Sequence, residues 1–245
     1  MIPSEKVKFI SNWIKSYADK MPNKAQSLVI GISGGIDSSV SSTLSAMTGM
    51  KTIVLTMPIK QKESQHDLSL KHQQWLVENF KNVEAHTLSL DKLFETFSKT
   101  LNKFDNEHGF ANSRARLRMT TLYQVAAANK GIVVGTGNKV EDFGVGFYTK
   151  YGDGGVDISP IADCNKTEVW ELGKELGILK EIIDAPPTDG LWDDGRTDEG
   201  QLGFKYSELE DAMGNPNSPH REQYEKIRNQ NLHKMEPIPV CKIPS

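Results

Sequence analysis

The chain has 245 residues, of which 37% are hydrophobic and 25% charged, and a formal net charge of −3. This is the make-up of a soluble globular domain without a broad basic field, which excludes nucleic acid as an expected partner and favours small molecules. No apolar run reaches the length of a membrane span, lysines interrupt the first twenty residues, and Cys164 and Cys241 form no C-x-x-C pair. Membrane insertion, secretion, a zinc site and a disulfide framework are therefore not expected, and the cytoplasm is the expected location.

Residues 4–20 place Val7, Phe9, Ile10, Trp13, Ile14 and Tyr17 close to one helical face, with Ser4 as cap behind Pro3, and predict an amphipathic N-terminal helix. A strand at 27–32, a glycine-rich turn, and a helix at 37–48 closed by Gly49 follow. A second buried strand spans 52–56, a helix 64–80, and a third strand 83–88. The next helix, 90–104, groups Leu93, Phe94, Phe97, Leu101 and Phe104 on one side. A helix at 112–129 and a strand at 131–135 come next, then a glycine-rich stretch to 155 and a helix from about 166 to 176. The chain loosens from 184 to 203 and ends in helices near 206–213 and 218–234. The alternation predicts a single α/β domain over 1–245: a three-layer open parallel sheet with helices on both faces and right-handed crossovers. Such sheets bind ligands beyond the carboxyl ends of their strands, where segments 33–39 and 136–141 both fall.

The turn after the first strand reads Gly31-Ile32-Ser33-Gly34-Gly35-Ile36-Asp37-Ser38. Small residues let the backbone approach an anion, and the following helix aims free N–H groups and its positive dipole end at it. Where the common P-loop has a lysine, this turn has Asp37, which suits Mg²⁺ rather than phosphate. Glu141 ends a second loop after a buried strand; it reads either as a capping acid or as the second carboxylate of a Mg²⁺ site. Arg114, Arg116 and Arg118 fan around a helix start, either as a solvated basic helix or as a fork for an anion. Segment 147–157 joins aromatic rings, Lys150, Asp153, Asp157 and three glycines, and fits a recognition loop or a tight hairpin. Lys166 stands at an ordinary helix start. Segment 185–195, rich in Pro, Gly and Asp around Trp192, reads as a mobile lid or a long surface loop. His66, His72, His86 and His108 have no ligand spacing and read as surface or packing residues.

S-G-G-x-D-S at 33–38 resembles the signature of the ATP pyrophosphatases, enzymes that cut ATP between the α- and β-phosphates. With N-x-x-A-R-x-R-M at 112–119, G-T-x-x-x-x-E at 135–141, F-x-T-K-x-G-D-G-G-x-D at 147–157, P-T-D-x-L at 187–191 and His233-Lys234, the chain is similar to the ammonia-dependent NAD synthetases. The resemblance implies a Rossmann-like fold of the adenine nucleotide alpha hydrolase kind, a homodimer, and conversion of deamido-NAD, ATP and ammonia to NAD, AMP and pyrophosphate. It implies that Gly31, Ile32, Ser33, Gly34, Gly35, Ile36, Asp37 and Ser38 hold ATP with Thr136, Lys166 and Thr188. Asp37 and Glu141 would bind Mg²⁺, and Arg116, Lys150, Asp157, His233 and Lys234 would bind deamido-NAD. Asp153 would orient ammonia or take its proton, and Lys166 would stabilise the departing pyrophosphate. No cysteine is framed for a glutaminase, so free ammonia is the expected nitrogen source. The weaker alternatives are a related adenylating enzyme, such as a GMP-synthetase-like or tRNA-thiolating one, and a nucleotide-binding regulatory module.

Overall fold

The computed structural model describes residues 1–60, 63–188 and 197–244. Four strands, β1 (Ser27–Gly31), β2 (Lys51–Thr56), β3 (Val83–Thr87) and β4 (Gly131–Val133), form one parallel sheet in the order β3-β2-β1-β4. Ser27 pairs with Lys51 on one side and with Gly131 on the other, so β1 is an inner strand from which the chain first runs outward and then back. That reversal makes the carboxyl ends of β1 and β4 the switch point of the sheet, where a crevice opens between their following loops.

Side chains alternate across the strands and divide the core into two layers. Leu28, Ile30, Val54 and Ile132 meet α1 (Pro3–Lys20), α2 (Ile36–Met47), α3 (Glu63–Asn79) and α6 (Lys166–Glu175). Val29, Ile53, Leu55 and Val133 face the other way, onto α4 (Asp91–Thr100) and α5 (Glu107–Ala128). The three-layer expectation is met. A third, smaller core joins a π-helical turn at Lys139–Val145 to α8 (Asp198–Leu202), α9 (Tyr206–Gly214) and α10 (Arg221–Met235), around Val140, Val145, Tyr206, Leu209 and Tyr224. The short α7 (Lys180–Ile183) follows α6.

Several local expectations need correcting. α1 begins at Pro3, which makes Ile2 rather than Ser4 the capping position. Its buried stripe is Val7, Ile10, Ile14 and Ala18, while Phe9 (60% exposed), Trp13 and Tyr17 point outward, because they lie on a second face of the helix. The helix expected over 90–104 ends at Thr100, with Phe94 its one buried residue and Leu93 exposed; Asn102–Phe104 is a separate 3-10 turn that leaves Phe104 in solvent. α5 starts five residues earlier than expected because Asn106 accepts the Gly109 N–H at 2.7 Å and caps it there. Within the stretch read as loose, 198–202 is helical, capped by the Thr197 hydroxyl. The expected lid falls mainly on 189–196, including Leu191 and Trp192, which lie outside the described residues.

Candidate active site

The turn after β1 is shaped by its glycines and tied by its serines. Gly34 has φ +91°, in the left-handed region that favours glycine, and Gly35 is the capping residue of α2. The Ser38 hydroxyl accepts the Ser33 N–H at 3.2 Å and donates to the Gly35 carbonyl at 3.0 Å, which closes the turn. Asp37 is thereby fixed in the first turn of α2, beside the cleft.

The second loop is held from below by Asn138. Its Oδ1 accepts the N–H groups of Val140 and Glu141, both at 3.0 Å, and its Nδ2 donates to Asp37 Oδ1 at 3.0 Å. One fully buried amide thus fixes the start of the π-helical turn and joins it to α2. A Cβ at Gly137 would lie 1.9 Å from Asp142 Oδ2, so a side chain there would displace the Asp142 carboxyl group. The third contributor is Lys166, the first residue of α6, only 1% exposed. Its Nζ donates to Asp37 Oδ2 at 2.5 Å and to Glu141 Oε1 at 2.9 Å. The Tyr206 hydroxyl donates to the same Glu141 oxygen at 2.5 Å.

Burial alone would lower Lys166, but the Asp37 and Glu141 carboxylates outweigh it and hold the ammonium above the usual lysine range. Burial pushes Asp37 up, against the pull of Lys166. Glu141 is buried as well, yet Lys166 and the Tyr206 hydroxyl draw it below the ordinary carboxylate range. Next to it, Asp142 is raised well above that range by burial and by the neighbouring carboxylates of Glu141, Asp153 and Asp37.

These groups line a cleft of about 500 Å³ at the switch point. Gly31 to Ser38, Thr136, Glu141, Asp153, Lys166 and Thr188 border it, as do the apolar Met57, Leu122, Val134, Phe147 and Val156. The Asp153 carboxylate also accepts the Thr149 N–H at 2.9 Å. The other expected residues are placed differently. Lys150 Nζ donates to the His233 carbonyl at 3.1 Å, Lys234 Nζ to the Tyr148 carbonyl at 2.9 Å, and Arg116 Nε to the Lys150 carbonyl at 3.3 Å. Together they form a basic group where loop 147–157 meets α10, beside the cleft rather than in its lining. Asp157 is turned to β4, where it accepts the Val133 N–H at 2.7 Å and the Tyr123 hydroxyl at 3.1 Å.

Asn138 and Tyr206 join this region without a motif role of their own, and two of the three fanned arginines leave the solvent. Asn138 lay inside the G-T-x-x-x-x-E motif and could have been noticed as a capping residue. Arg118 reaches inward, with its Nε donating to the Met57 carbonyl at 3.0 Å, and borders the cleft. Arg114 also turns inward, over the Phe94 ring at 4.9 Å, so only Arg116 of the three stays outward. Tyr206 carried no signal beyond a helical pattern.

The donor set suits magnesium. Among the described residues no cluster of three or more His, Cys, Asp or Glu side chains is arranged for a metal. Mg²⁺, however, commonly takes one or two carboxylates and completes its oxygen shell with substrate phosphates and water. Asp37 and Glu141 converge on one cationic centre, the Lys166 ammonium, directly beside the phosphate turn.

A phosphate turn and converging carboxylates at the switch point of a parallel sheet define a nucleotide-handling α/β enzyme of Rossmann-like type. The family described as NAD synthase matches residues 6–243, and the chain belongs to this family of ligases. It is 37% identical over 212 residues to the NH(3)-dependent NAD(+) synthetase of Carboxydothermus hydrogenoformans, covering 84% of this chain and 83% of that protein. The enzyme of the same description from Finegoldia magna is 36% identical, covering 92% of this chain and 90% of its own. Among solved structures, the NMN synthetase of Francisella tularensis superposes with a TM-score of 0.91 at 34% identity, covering 99% of this chain and 100% of that one.

Proposed function

We propose that the chain amidates deamido-NAD with ammonia, converting ATP to AMP and pyrophosphate through an acyl-adenylate. The observation that carries this reading is the Asp37–Lys166–Glu141 bridge, which ties the phosphate turn to the loop after β4 at the switch crevice. A carboxylate is a poor acyl donor, so its oxygen must first attack the α-phosphorus of ATP, which breaks the bond to the β-phosphate bridge and releases pyrophosphate. The backbone of 31–38 and the N-terminus of α2 cradle the polyphosphate. Asp37 and Glu141 would hold Mg²⁺, which when bound neutralises charge on the phosphoryl oxygens. Lys166, kept charged between them, supplies a buried cation beside the leaving group. Ammonia then attacks the acyl carbon, the bond to the AMP oxygen breaks, and the surplus proton passes to Asp153 or solvent. The basic group of Arg116, Lys150, His233 and Lys234 serves the dinucleotide outside the cleft. A homodimer in the cytoplasm belongs to the same reading, and the exposed Phe9 and Trp13 of α1 suit a dimer seam.

The resemblance to the Francisella protein supports a second reading, in which the acceptor is the nicotinate mononucleotide instead of the dinucleotide. Both are tested by quantifying products from each acceptor with Mg-ATP and ammonium chloride, with glutamine in parallel. Equal yields of amide, AMP and pyrophosphate with ammonia and little with glutamine are expected. The acceptor with the higher kcat/KM decides between the readings, and AMP formation with neither would overturn both.

A further inference from the structure

We infer that Tyr206 is a positioning residue that aims Glu141 at the metal, an inference that rests on the reading of Glu141 as a Mg²⁺ ligand. Tyr206 opens α9 and is 1% exposed. Its ring meets Trp170 edge-to-face at 6.0 Å, and Lys166 Nζ lies 4.8 Å from the ring centroid on the way to its carboxylates. The backbone is anchored too, because the Tyr206 N–H donates to Glu199 Oε1 at 3.0 Å. With ring and backbone both fixed, the hydroxyl has one place to go. It stands 2.5 Å from Glu141 Oε1 and 3.3 Å from Asp198 Oδ2. A phenol carries one hydrogen, and the shorter contact takes it.

The choice of oxygen matters for chemistry. Lys166 and Tyr206 both donate to Oε1 of Glu141, so two donors on one oxygen set the rotation of the carboxyl group, and Oε2 is the oxygen that a cation would take. Outer partners of this sort orient ligating carboxylates and commonly change metal affinity ten- to a hundredfold when removed. Tyr206 does not border the cleft; its hydroxyl reaches the lining through Glu141 and, by a longer contact, through Asp198.

The test is Mn²⁺ titration by electron paramagnetic resonance in the presence of α,β-methylene ATP, on the full chain. The unmodified protein should bind Mn²⁺ and Glu141→Gln should weaken it; no binding by the unmodified protein would overturn the metal reading and this inference with it. Tyr206→Phe keeps the ring and should weaken Mn²⁺ about tenfold, raising the KM for Mg-ATP more than it lowers kcat. Combined with Glu141→Gln it should add almost nothing. An unchanged Mn²⁺ affinity in Tyr206→Phe, or full additivity in the double variant, would overturn the proposal while leaving the metal reading intact.

Discussion

Lys166 is the residue on which the site balances, since it holds two carboxylates that would otherwise repel each other in a poorly hydrated place. Lys166→Met should cost about 3 kcal/mol in metal-free buffer, because the partner charges are left buried and unpaired. Mg²⁺ should then raise the melting temperature of the variant more than that of the parent, since the cation takes over the task of the ammonium. Equal Mg²⁺ shifts in thermal melts of the two proteins would refute that balance. At this scale the sequence is informative where a motif carries the chemistry: Asp37 and Glu141 stand in two motifs, and both carboxylates meet the Lys166 ammonium. Lys166 looked like an exposed helix start and is instead buried, because its burial depends on α6 packing against the two loops, which no local pattern records. The same holds for Tyr206, whose hydroxyl meets Glu141 across 65 positions of sequence.

Between elements, the contact of α2 with α3 carries a built-in pH dependence. His72 is fully buried, its Nε2 3.0 Å from the Ser42 hydroxyl and its ring stacked on Trp75 at 5.6 Å. Burial pushes it down to about 4, against a hydrogen bond with the Ser39 backbone that acts to raise it. The unfolded chain therefore binds this proton first as pH falls below the ordinary histidine value. Stability from this group is full above about pH 6.5 and declines toward pH 4, by up to about 3 kcal/mol. His72→Gln should flatten the fall in urea-unfolding free energy across that window; an unchanged slope would place the acid sensitivity elsewhere. Loop 147–157 and α10 make a second pairing, in which Lys150 donates to the His233 carbonyl and Lys234 to the Tyr148 carbonyl. Lys150→Ala should raise the KM for the nicotinate acceptor with little change in the KM for ATP, as read from steady-state kinetics with each substrate varied. Elements with a strong period were legible, including β1, β2, α2 and α6. The π-helical turn at 139–145 was not, because its form comes from the Asn138 cap and from packing on Tyr206 and Leu209 rather than from any repeat in its own residues.

For the whole molecule, the sheet order explains why two distant motifs act together. β1 sits between β2 and β4, so the loop after residue 31 and the loop after residue 134 open on the same crevice although a hundred residues separate them. α/β alternation foretold the layers and the parallel strands, but not which strands would be inner, since the return from β3 across β1 to β4 is decided by how α5 packs on the far face. The central claim is that the nicotinate carboxylate is adenylated in this crevice before ammonia arrives. It is tested most directly with the preferred acceptor carrying heavy oxygen in its carboxylate, followed by mass spectrometry of the released nucleotide and phosphates. The account predicts one labelled oxygen in AMP and none in pyrophosphate; label in inorganic phosphate, with ADP as the nucleotide product, would contradict it.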